Sequence, residues 1–213
     1  MITLYDYLPS QNAWKVRQIL HHLEIPHRTK IISIFEGHGQ DAAFLRVNPW
    51  GAVPAIMLDD GRVLCESSAI LWFFSEGTAY RPNNAYDDAK VMQWLSFEAD
   101  YVQTSVGSLR YWTLTGKLAA RGAEMIAGKR ETAQRALAIL DAQLKEKPFI
   151  CGDNYTIADI SLFAYTHLAN EAELETAGLP AFEAWVARVR AQDRHLAEIY
   201  AYAIDPSAVS ELP

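Results

Sequence analysis

The sequence predicts an α/β domain followed by an all-α domain, and three observations support this fold class. Short apolar segments alternate with amphipathic ones over residues 1–77, as strands and helices do in a small α/β domain. Residues 78–87 are polar and rich in turn formers, which is typical of a linker. Residues 88–213 then show helical spacing without a convincing strand. A chain of 213 residues is long enough for two such domains.

The first domain is predicted to run β-α-β, then a short helix, then β-β-α. Asp59–Gly61 is a hairpin turn signal between the last two strands, so the four-stranded sheet should mix parallel and antiparallel pairs. This order of elements is typical of a thioredoxin-like domain. The predicted strands are Ile2–Tyr5, His27–Ile34, a strand entered at Pro54, and Arg62–Cys65, and the predicted helices are Asn12–Leu23, Asp41–Arg46 and one that begins at Ser67.

The second domain is predicted as a helical bundle, and one of its helix starts is unusually well defined. Thr156 can cap the helix that follows, while Asp159 reaches back to the Thr156 N–H. Tyr155 and Ile160 stand where a hydrophobic staple joins the two sides of such a cap. We interpret this segment as folding information and not as chemistry.

Composition and charge argue against two kinds of partner. Charged residues make up 21% of the chain and the net charge is −7, so the basic stripe of a nucleic-acid surface is missing. The strongest apolar run, Ala69–Phe74, is far shorter than the roughly 20 residues that span a bilayer. We therefore expect neither a nucleic-acid partner nor a membrane partner.

The first residues and the cysteines bear on location and redox chemistry. Met1–Ser10 contains Asp6 and Pro9 where a secretory signal would be basic and then apolar, so we expect a cytoplasmic protein. Cys65 and Cys151 are the two cysteines, and they form no C-x-x-C spacing that would indicate a dithiol or a zinc site. We expect buried thiols, no metal and no tightly bound cofactor.

The segment Asn48–Ile56 predicts an edge that binds an extended peptide. Proline lacks a ladder donor and is normally confined to strand starts and edges, so Pro54 marks such a position. If the Val53–Pro54 bond is cis, the turn aims the backbone N–H and C=O of Val53 outward. A short peptide can then pair with Val53 as an additional strand.

A second part of the same ligand site is predicted at Glu66–Ser67, where an apolar strand runs directly into a helix. The free N–H groups and dipole of a helix start favour a carboxylate, and the Ser67 hydroxyl adds a donor. Glu66 can hold an ammonium group. The γ-glutamyl end of glutathione carries both groups. The alternative is that Ser67 only caps the helix and Glu66 only complements its dipole.

On these motifs the chain resembles the cytosolic glutathione transferase family over essentially its whole length, with bacterial members most similar. Leu8–Asn12 is similar to the theta-like, serine-type version. The resemblance implies the glutathione transferase fold, a glutathione site in the first domain, a helical domain that supplies the electrophile pocket, and a homodimer. The motifs that carry it, in the right order and spacing, are Leu4–Ser10, Val47–Pro49, Val53–Ala55, Glu66–Ser67 and Thr156–Asp159.

Ser10 is the first candidate for activating the thiol of glutathione. The thiolate is the reactive form, and lowering the pKa of a thiol by about two units requires roughly 2.7 kcal/mol. A hydrogen bond to a charged group contributes about 1.5–3 kcal/mol, and a helix N-terminus about 0.3–1 kcal/mol. Ser10 can also be only a helix cap. Asn12 and Tyr7 are the rival candidates for the thiol contact.

The glycine end of glutathione is expected near His38 and Trp50. Many relatives have Lys or Gln where this chain has Ala52, so one side-chain contact is missing there. His38 stands close to where relatives contact the glycine carboxylate, and Trp50 can cover that end of the ligand. The alternatives are a solvated His38 and a Trp50 that only anchors its loop.

The pocket for an electrophile is expected to be apolar and aromatic. The resemblance places it between the loop at Leu8 and the first long helix of the second domain. The candidate residues on that helix are Tyr101, Ser105, Leu109 and Trp112. An aromatic stripe at helical spacing can equally be part of the core.

Together these features predict a glutathione transferase in which glutathione is a co-substrate that attacks a small hydrophobic electrophile, as in detoxification. Three alternatives stay open. The first is a glutathione-dependent disulfide reductase that relies on Asn12 as well as Ser10, and the second is a glutathione-dependent isomerase or lyase. The third is a noncatalytic binding or scaffold protein, which is supported by the ligand contact that is missing at Ala52.

Overall fold

The computed structural model describes residues 1–35, 37–208 and 212, which form two units. The first unit is Met1–Glu76 together with Leu196–Leu212, and the second begins at Gly77 and ends at His195. The sequence assigned the whole of 88–213 to the helical domain. The structure differs because the segment after His195 returns to the first unit.

The first unit is built on a four-stranded mixed sheet, as predicted. The strands lie in the order β2-β1-β3-β4; β1 and β2 are parallel, and the β1–β3 and β3–β4 pairs are antiparallel. The expected strand His27–Ile34 is shorter, because the sheet pairing ends at Ile31. The elements are β1 (Ile2–Asp6), α1 (Gln11–His22), β2 (His27–Ile31), α2 (Ala42–Leu45), β3 (Ala55–Met57), β4 (Val63–Cys65) and α3 (Ser67–Ser75).

Apolar residues at strand and helix periodicity form the core of this unit. Leu4 of β1 pairs in register with Ile56 of β3, and neither side chain has exposed surface. They pack with residues of α1 and α3, namely Val16, Leu20 and Ile70. The two helices are therefore held on the sheet by one continuous apolar cluster.

The second unit is helical. Among its described residues, the β pairing consists of one bridge between Phe149 and Gly152. None of the described helices is both long enough and apolar enough to cross a bilayer. The helices are α4 (Ala85–Phe97), α5 (Ser108–Leu114), α6 (Ala123–Leu144), α7 (Ile157–Thr166) and α8 (Pro180–Arg190).

A π-helix over Glu98–Gly107 joins α4 to α5. Its i→i+5 bonding puts more residues into each turn than an α-helix has, so it changes which side chains share a face. Gly107, the last residue of the π-helix, packs against α7. A Cβ at this position would lie 2.9 Å from a ring carbon of Tyr165. Glycine is therefore required for this close approach.

The predicted capping box at α7 is confirmed. Thr156 Oγ1 accepts from the N–H of Ala158 at 3.3 Å, and Asp159 Oδ2 accepts from the N–H of Thr156 at 2.9 Å. Asp159 has no exposed surface, and its Oδ1 also accepts from Ile150 N and from Trp185 Nε1, both at 2.9 Å. The carboxylate thus ties α7 to α8 and to the preceding loop.

Candidate active site

Three chain segments meet at one edge of the sheet in the first unit. Tyr5, Ala55 and Cys65 are paired across β1, β3 and β4. Because β3 runs antiparallel to both neighbours, its first residue lies beside the last residues of β1 and β4. The loop into α1, the bond Val53–Pro54 and the helix start Glu66–Ser67 are therefore brought to the same edge.

The Val53–Pro54 peptide bond is cis, and β3 begins with the next residue. Asn48, which is 2% exposed, shapes the loop before it. Its Nδ2 donates to the carbonyl of Ala52 at 2.6 Å, and its Oδ1 accepts from the N–H of Trp50 at 3.1 Å. Asn48 belongs to the predicted peptide-binding edge, but no role was expected for its side chain. Its signal is the tendency of Asn to bond the backbone two residues on.

The turn that carries His38 packs directly on this loop. Gly51 has φ +65°, and a Cβ there would lie 2.6 Å from the carbonyl oxygen of Gly39. His38 is half-buried on the turn His38–Gln40, and Trp50 is 65% exposed. The two candidates for the glycine end thus lie on loops in contact, and Trp50 is not buried as an anchor.

Glu66 and Ser67 form an open helix start. Glu66 is the N-cap residue of α3 and makes no side-chain capping bond, so Ser67 is the first helical residue and not the cap. Glu66 is exposed with φ 68°, which is strained for a residue other than glycine, and Ser67 is 6% exposed. The N–H groups of the first turn have no intrahelical acceptor. Glu24, Glu173 and Arg194 also have positive φ, so the strain at Glu66 indicates a ligand site only in combination with the open helix start.

Ser10 is the N-cap of α1. Its Oγ accepts from the N–H of Ala13 at 3.2 Å, and its own N–H donates to the carbonyl of Tyr7 at 2.9 Å. A hydroxyl that accepts one hydrogen bond still has its proton to donate. Capping and thiol donation by Ser10 are therefore compatible.

The two rivals of Ser10 have different surroundings. Asn12 is partly buried, and its Oδ1 accepts from Lys15 Nζ at 2.9 Å. Tyr7 is 1% exposed and lies in an apolar cluster, with its ring 6.3 Å from those of both Phe35 and Tyr202. The segment that returns from His195 thus covers Tyr7, whereas Asn12 remains accessible.

An ion pair between Asp6 and Arg17, which no sequence motif indicates, holds the loop between β1 and α1. Arg17 Nη1 lies 2.6 Å from Asp6 Oδ1, and Arg17 Nη2 donates to the carbonyl of Leu8 at 2.9 Å. Burial raises the pKa of Asp6, and Arg17 opposes that rise. Leu8 itself is half-buried at this loop.

The four electrophile-pocket candidates on the second unit do not share a face. Ser105 and Leu109 are 1% and 0% exposed, so they belong to the core, whereas Tyr101 is 50% exposed. Trp112 packs beneath two cations, with Arg121 at 4.8 Å and a lysine at 5.5 Å from its ring. The expected stripe assumed α-helical periodicity, and the π-helix changes the phase between these positions.

Tyr101 instead lines a groove of about 570 Å³ between the π-helix and α6. The groove lies wholly within the second unit. Its lining residues are Phe97, Tyr101, Gly128, Glu131, Thr132, Arg135, Ala136 and Ile139.

Cys65 and Cys151 are both half-buried, where buried thiols were expected, and their surroundings disfavour the thiolate. Burial raises the pKa of Cys151 to about 12, and burial, followed by the charge of Glu66, raises the pKa of Cys65. The thiolate is the nucleophilic form. A thiol reaction at this site therefore needs a thiol that the ligand supplies.

Comparison with known proteins agrees with this geometry. The family model for the glutathione S-transferase N-terminal domain matches residues 9–76, and that for the C-terminal domain matches residues 120–188. A solved glutathione S-transferase of Xanthobacter autotrophicus Py2 is 33% identical with a TM-score of 0.89, over 96% of this chain and 99% of that one. One from Pseudomonas fluorescens Pf-5 is 32% identical with a TM-score of 0.88, over 92% and 97%.

A curated relative carries a different name. The disulfide-bond oxidoreductase YfcG of Escherichia coli K12 is 27% identical over 199 residues, which is 90% of this chain and 91% of that protein. The family resemblance inferred from the motifs is confirmed across both units, and the chain belongs to the glutathione S-transferase family.

Proposed function

We propose that the protein is a glutathione transferase, which binds glutathione along the sheet edge of the first unit and uses its thiolate to attack a small hydrophobic electrophile. The observation that carries the proposal is the open helix start of α3. There, buried Ser67 and free N–H groups adjoin the strained, exposed Glu66. A γ-glutamyl carboxylate fits the N–H groups and Ser67, and its ammonium fits Glu66.

The dimensions of the edge support a tripeptide ligand. Neighbouring strands are about 4.8 Å apart, so the edge from β4 across β3 to β1 is about 10 Å wide. Three extended residues span about 10–11 Å. With the γ-glutamyl end at Glu66, the cysteinyl main chain meets the backbone of Val53 and the sulfur meets the start of α1. The glycine end then lies toward His38 and Trp50. Pro54, directly before β3, marks this end of the sheet.

At the sulfur we propose Ser10 as the donor, with Asn12 beside it. Both side chains lie at the N-terminus of α1, where the dipole favours an anion. Tyr7 is the weakest of the three candidates, because its ring is enclosed by Phe35 and Tyr202. Glutathione acts as co-substrate in this scheme, and the reaction requires no metal or other cofactor.

A glutathione-dependent disulfide reductase is the second candidate. It is favoured by the similarity to a disulfide-bond oxidoreductase and by the accessible side chain of Asn12, on which such an activity would rely as well as on Ser10. The two activities leave different products, because a reductase forms glutathione disulfide and a transferase forms a thioether. Mass spectrometry after turnover with a disulfide and with an aryl halide distinguishes them.

We also propose that the protein acts as a homodimer. Tyr101 is 50% exposed and Ile139 is 38% exposed, and both line the groove of the second unit. Exposed apolar patches of this kind mark interaction surfaces. Sedimentation of the wild type and of Tyr101→Ala is the test, and a monomeric wild type would contradict the proposal.

The decisive experiment is a calorimetric titration with glutathione in two buffers of different ionisation enthalpy. Binding with proton release near neutral pH is expected, because it reports formation of the thiolate. Glu66→Gln should weaken binding about tenfold, as expected for loss of a hydrogen-bonded charge. Glu76→Gln, at the opposite end of the same helix, is the matched control and should bind normally. No binding at millimolar glutathione would overturn the transferase proposal.

A further inference from the structure

Lys15 is a fully buried lysine that the proposed reaction does not yet use. Its side chain has no exposed surface, and lysine is almost never buried unless its ammonium is paired. One partner is Asn12, whose Oδ1 accepts from Lys15 Nζ at 2.9 Å from one turn earlier on α1. A buried cation therefore contacts the first turn of α1.

The chemistry of this contact fixes how the carboxamide of Asn12 is turned. An ammonium group has donors and no acceptor, so the atom of Asn12 that faces Lys15 must be the oxygen. The nitrogen, with its two N–H groups, faces the other way. Donation from a cation to the oxygen also polarises the carboxamide, which strengthens the N–H groups as donors.

Asn12 stands two residues after the N-cap Ser10. The hydroxyl of Ser10 and the amide of Asn12 are therefore two donors at one helix start. We propose that Lys15 is a positioning residue, which holds the Asn12 carboxamide with its N–H groups toward the sulfur of bound glutathione. This inference rests on the proposed binding of glutathione.

Three other polar side chains of α1, those of Arg17, Gln18 and His22, are engaged elsewhere. Arg17 pairs with Asp6 at 2.6 Å and so is directed toward β1. Gln18 accepts from the N–H of Leu196 at 2.8 Å and lies 2.9 Å from a ring nitrogen of His22. Lys15, in contrast, contacts the first turn.

The test is the pKa of the glutathione thiol on the enzyme, followed by the ultraviolet absorbance of the thiolate as the pH is raised. In Lys15→Met we expect this pKa to rise by about one unit, which leaves about tenfold less thiolate at pH 7, with glutathione affinity within about threefold. Gln18→Met is the matched control. It removes a buried polar side chain from the same helix without touching Asn12, so the thiol pKa should stay unchanged.

A double-mutant cycle separates positioning from a direct effect of charge. Asn12→Ala should raise the thiol pKa by a similar amount, and Lys15→Met should add nothing in the Asn12→Ala background. If Lys15→Met does not fold, Lys15→Gln replaces it. A glutamine offers Asn12 both a donor and an acceptor, so it no longer dictates the orientation, and the same direction of shift is expected.

Two results would overturn the inference. A thiol pKa that is unchanged in Lys15→Met but raised in Asn12→Ala, or shifts that add in the double variant, would show that Lys15 does not act through Asn12. Glutathione binding by the wild type would remain intact in both cases. Failure of the wild type to bind glutathione would instead overturn the proposed function, and this inference with it.

Discussion

The helix starts of α3 and α7 differ in how their free N–H groups are used. At α7, Thr156 Oγ1 accepts from the N–H of Ala158, the N–H of Ile157 donates to the carbonyl of Tyr80, and the fully buried Asp159 accepts from the N–H of Thr156. At α3, Glu66 is the cap residue, is exposed, and leaves the first turn without a side-chain acceptor. One helix start contributes stability to the second unit, and the other keeps donors available for a ligand.

The start of α1 lies between these two extremes. Ser10 accepts the hydrogen bond of a cap and retains its hydroxyl proton. A single side chain can therefore stabilise the helix and still donate to an anion. Substitutions at the three helix starts should separate stability from glutathione binding in three different ways.

The largest effect is expected at α7. Asp159→Ala leaves the N–H groups of Thr156, Ile150 and Trp185 without their acceptor, and each buried donor left unsatisfied costs about 1–3 kcal/mol. We expect a loss of at least about 3 kcal/mol in the free energy of unfolding, measured by urea titration. Glutathione affinity of the folded protein should be unaffected. A loss below about 1 kcal/mol would contradict the role given to this carboxylate.

At α1 a single substitution should change two properties together. Ser10→Ala removes a cap, which costs about 0.5–2 kcal/mol, and removes a donor to the sulfur, which should raise the bound-thiol pKa by about one unit. Glutathione affinity should stay within a few fold. Thr156→Ala is the matched control, because it removes a cap from α7 and should leave the thiol pKa unchanged. An unchanged thiol pKa in Ser10→Ala would move the role to Asn12 or Tyr7.

At α3, stability and binding should move in opposite directions. Glu66→Gly relieves the positive φ and should raise the free energy of unfolding by about 1 kcal/mol, while glutathione binds about tenfold more weakly. Glu24→Gly is the control, because Glu24 is also exposed with a positive φ of 53° and lies beyond the opposite end of α1. It should stabilise the protein without weakening binding. Equal binding losses in the two variants would show that Glu66 has no specific role.

The smallest effect is expected at the cysteines. Because burial raises the pKa of both thiols, and that of Cys151 to about 12, neither should react readily with a disulfide reagent at pH 8. Both should react once urea unfolds the chain. Rapid labelling of Cys65 in the folded protein would mean that the α3 start activates a thiol of the protein itself.

Features coded by neighbouring residues were predictable, and those coded by distant residues were not. The capping box of Thr156 and Asp159 and the hairpin turn at Asp59–Gly61 depend on short-range rules, and both are present. The Val53–Pro54 bond is cis, which is the condition on which the predicted peptide-binding edge at this strand entry depends. These local signals were sufficient to predict the mixed sheet and the edge of the candidate site.

Three features lay beyond such rules. The predicted pocket stripe from Tyr101 to Trp112 was based on 3.6 residues per turn. The local sequence gives no signal for the π-helix at Glu98–Gly107. The contact of Trp14 with Leu196 joins residues 182 positions apart, and periodicity carries no information about such pairs. The ion pair of Asp6 and Arg17 was missed for a similar reason, because it depends on how α1 crosses β1.

The returning segment also affects the order in which the chain folds during synthesis. Trp14 Nε1 donates to the carbonyl of Leu196 at 3.0 Å, and Tyr7 packs against Tyr202, so the first unit needs residues that the ribosome adds after the second unit. At 5–20 residues per second, roughly 10–40 s separate the synthesis of Trp14 from that of Leu196. The second unit is contiguous and has all of its residues as soon as His195 emerges. The N-terminal unit is therefore the last to be completed, and a nascent chain stalled before Leu196 would expose its unfinished apolar surface to chaperones.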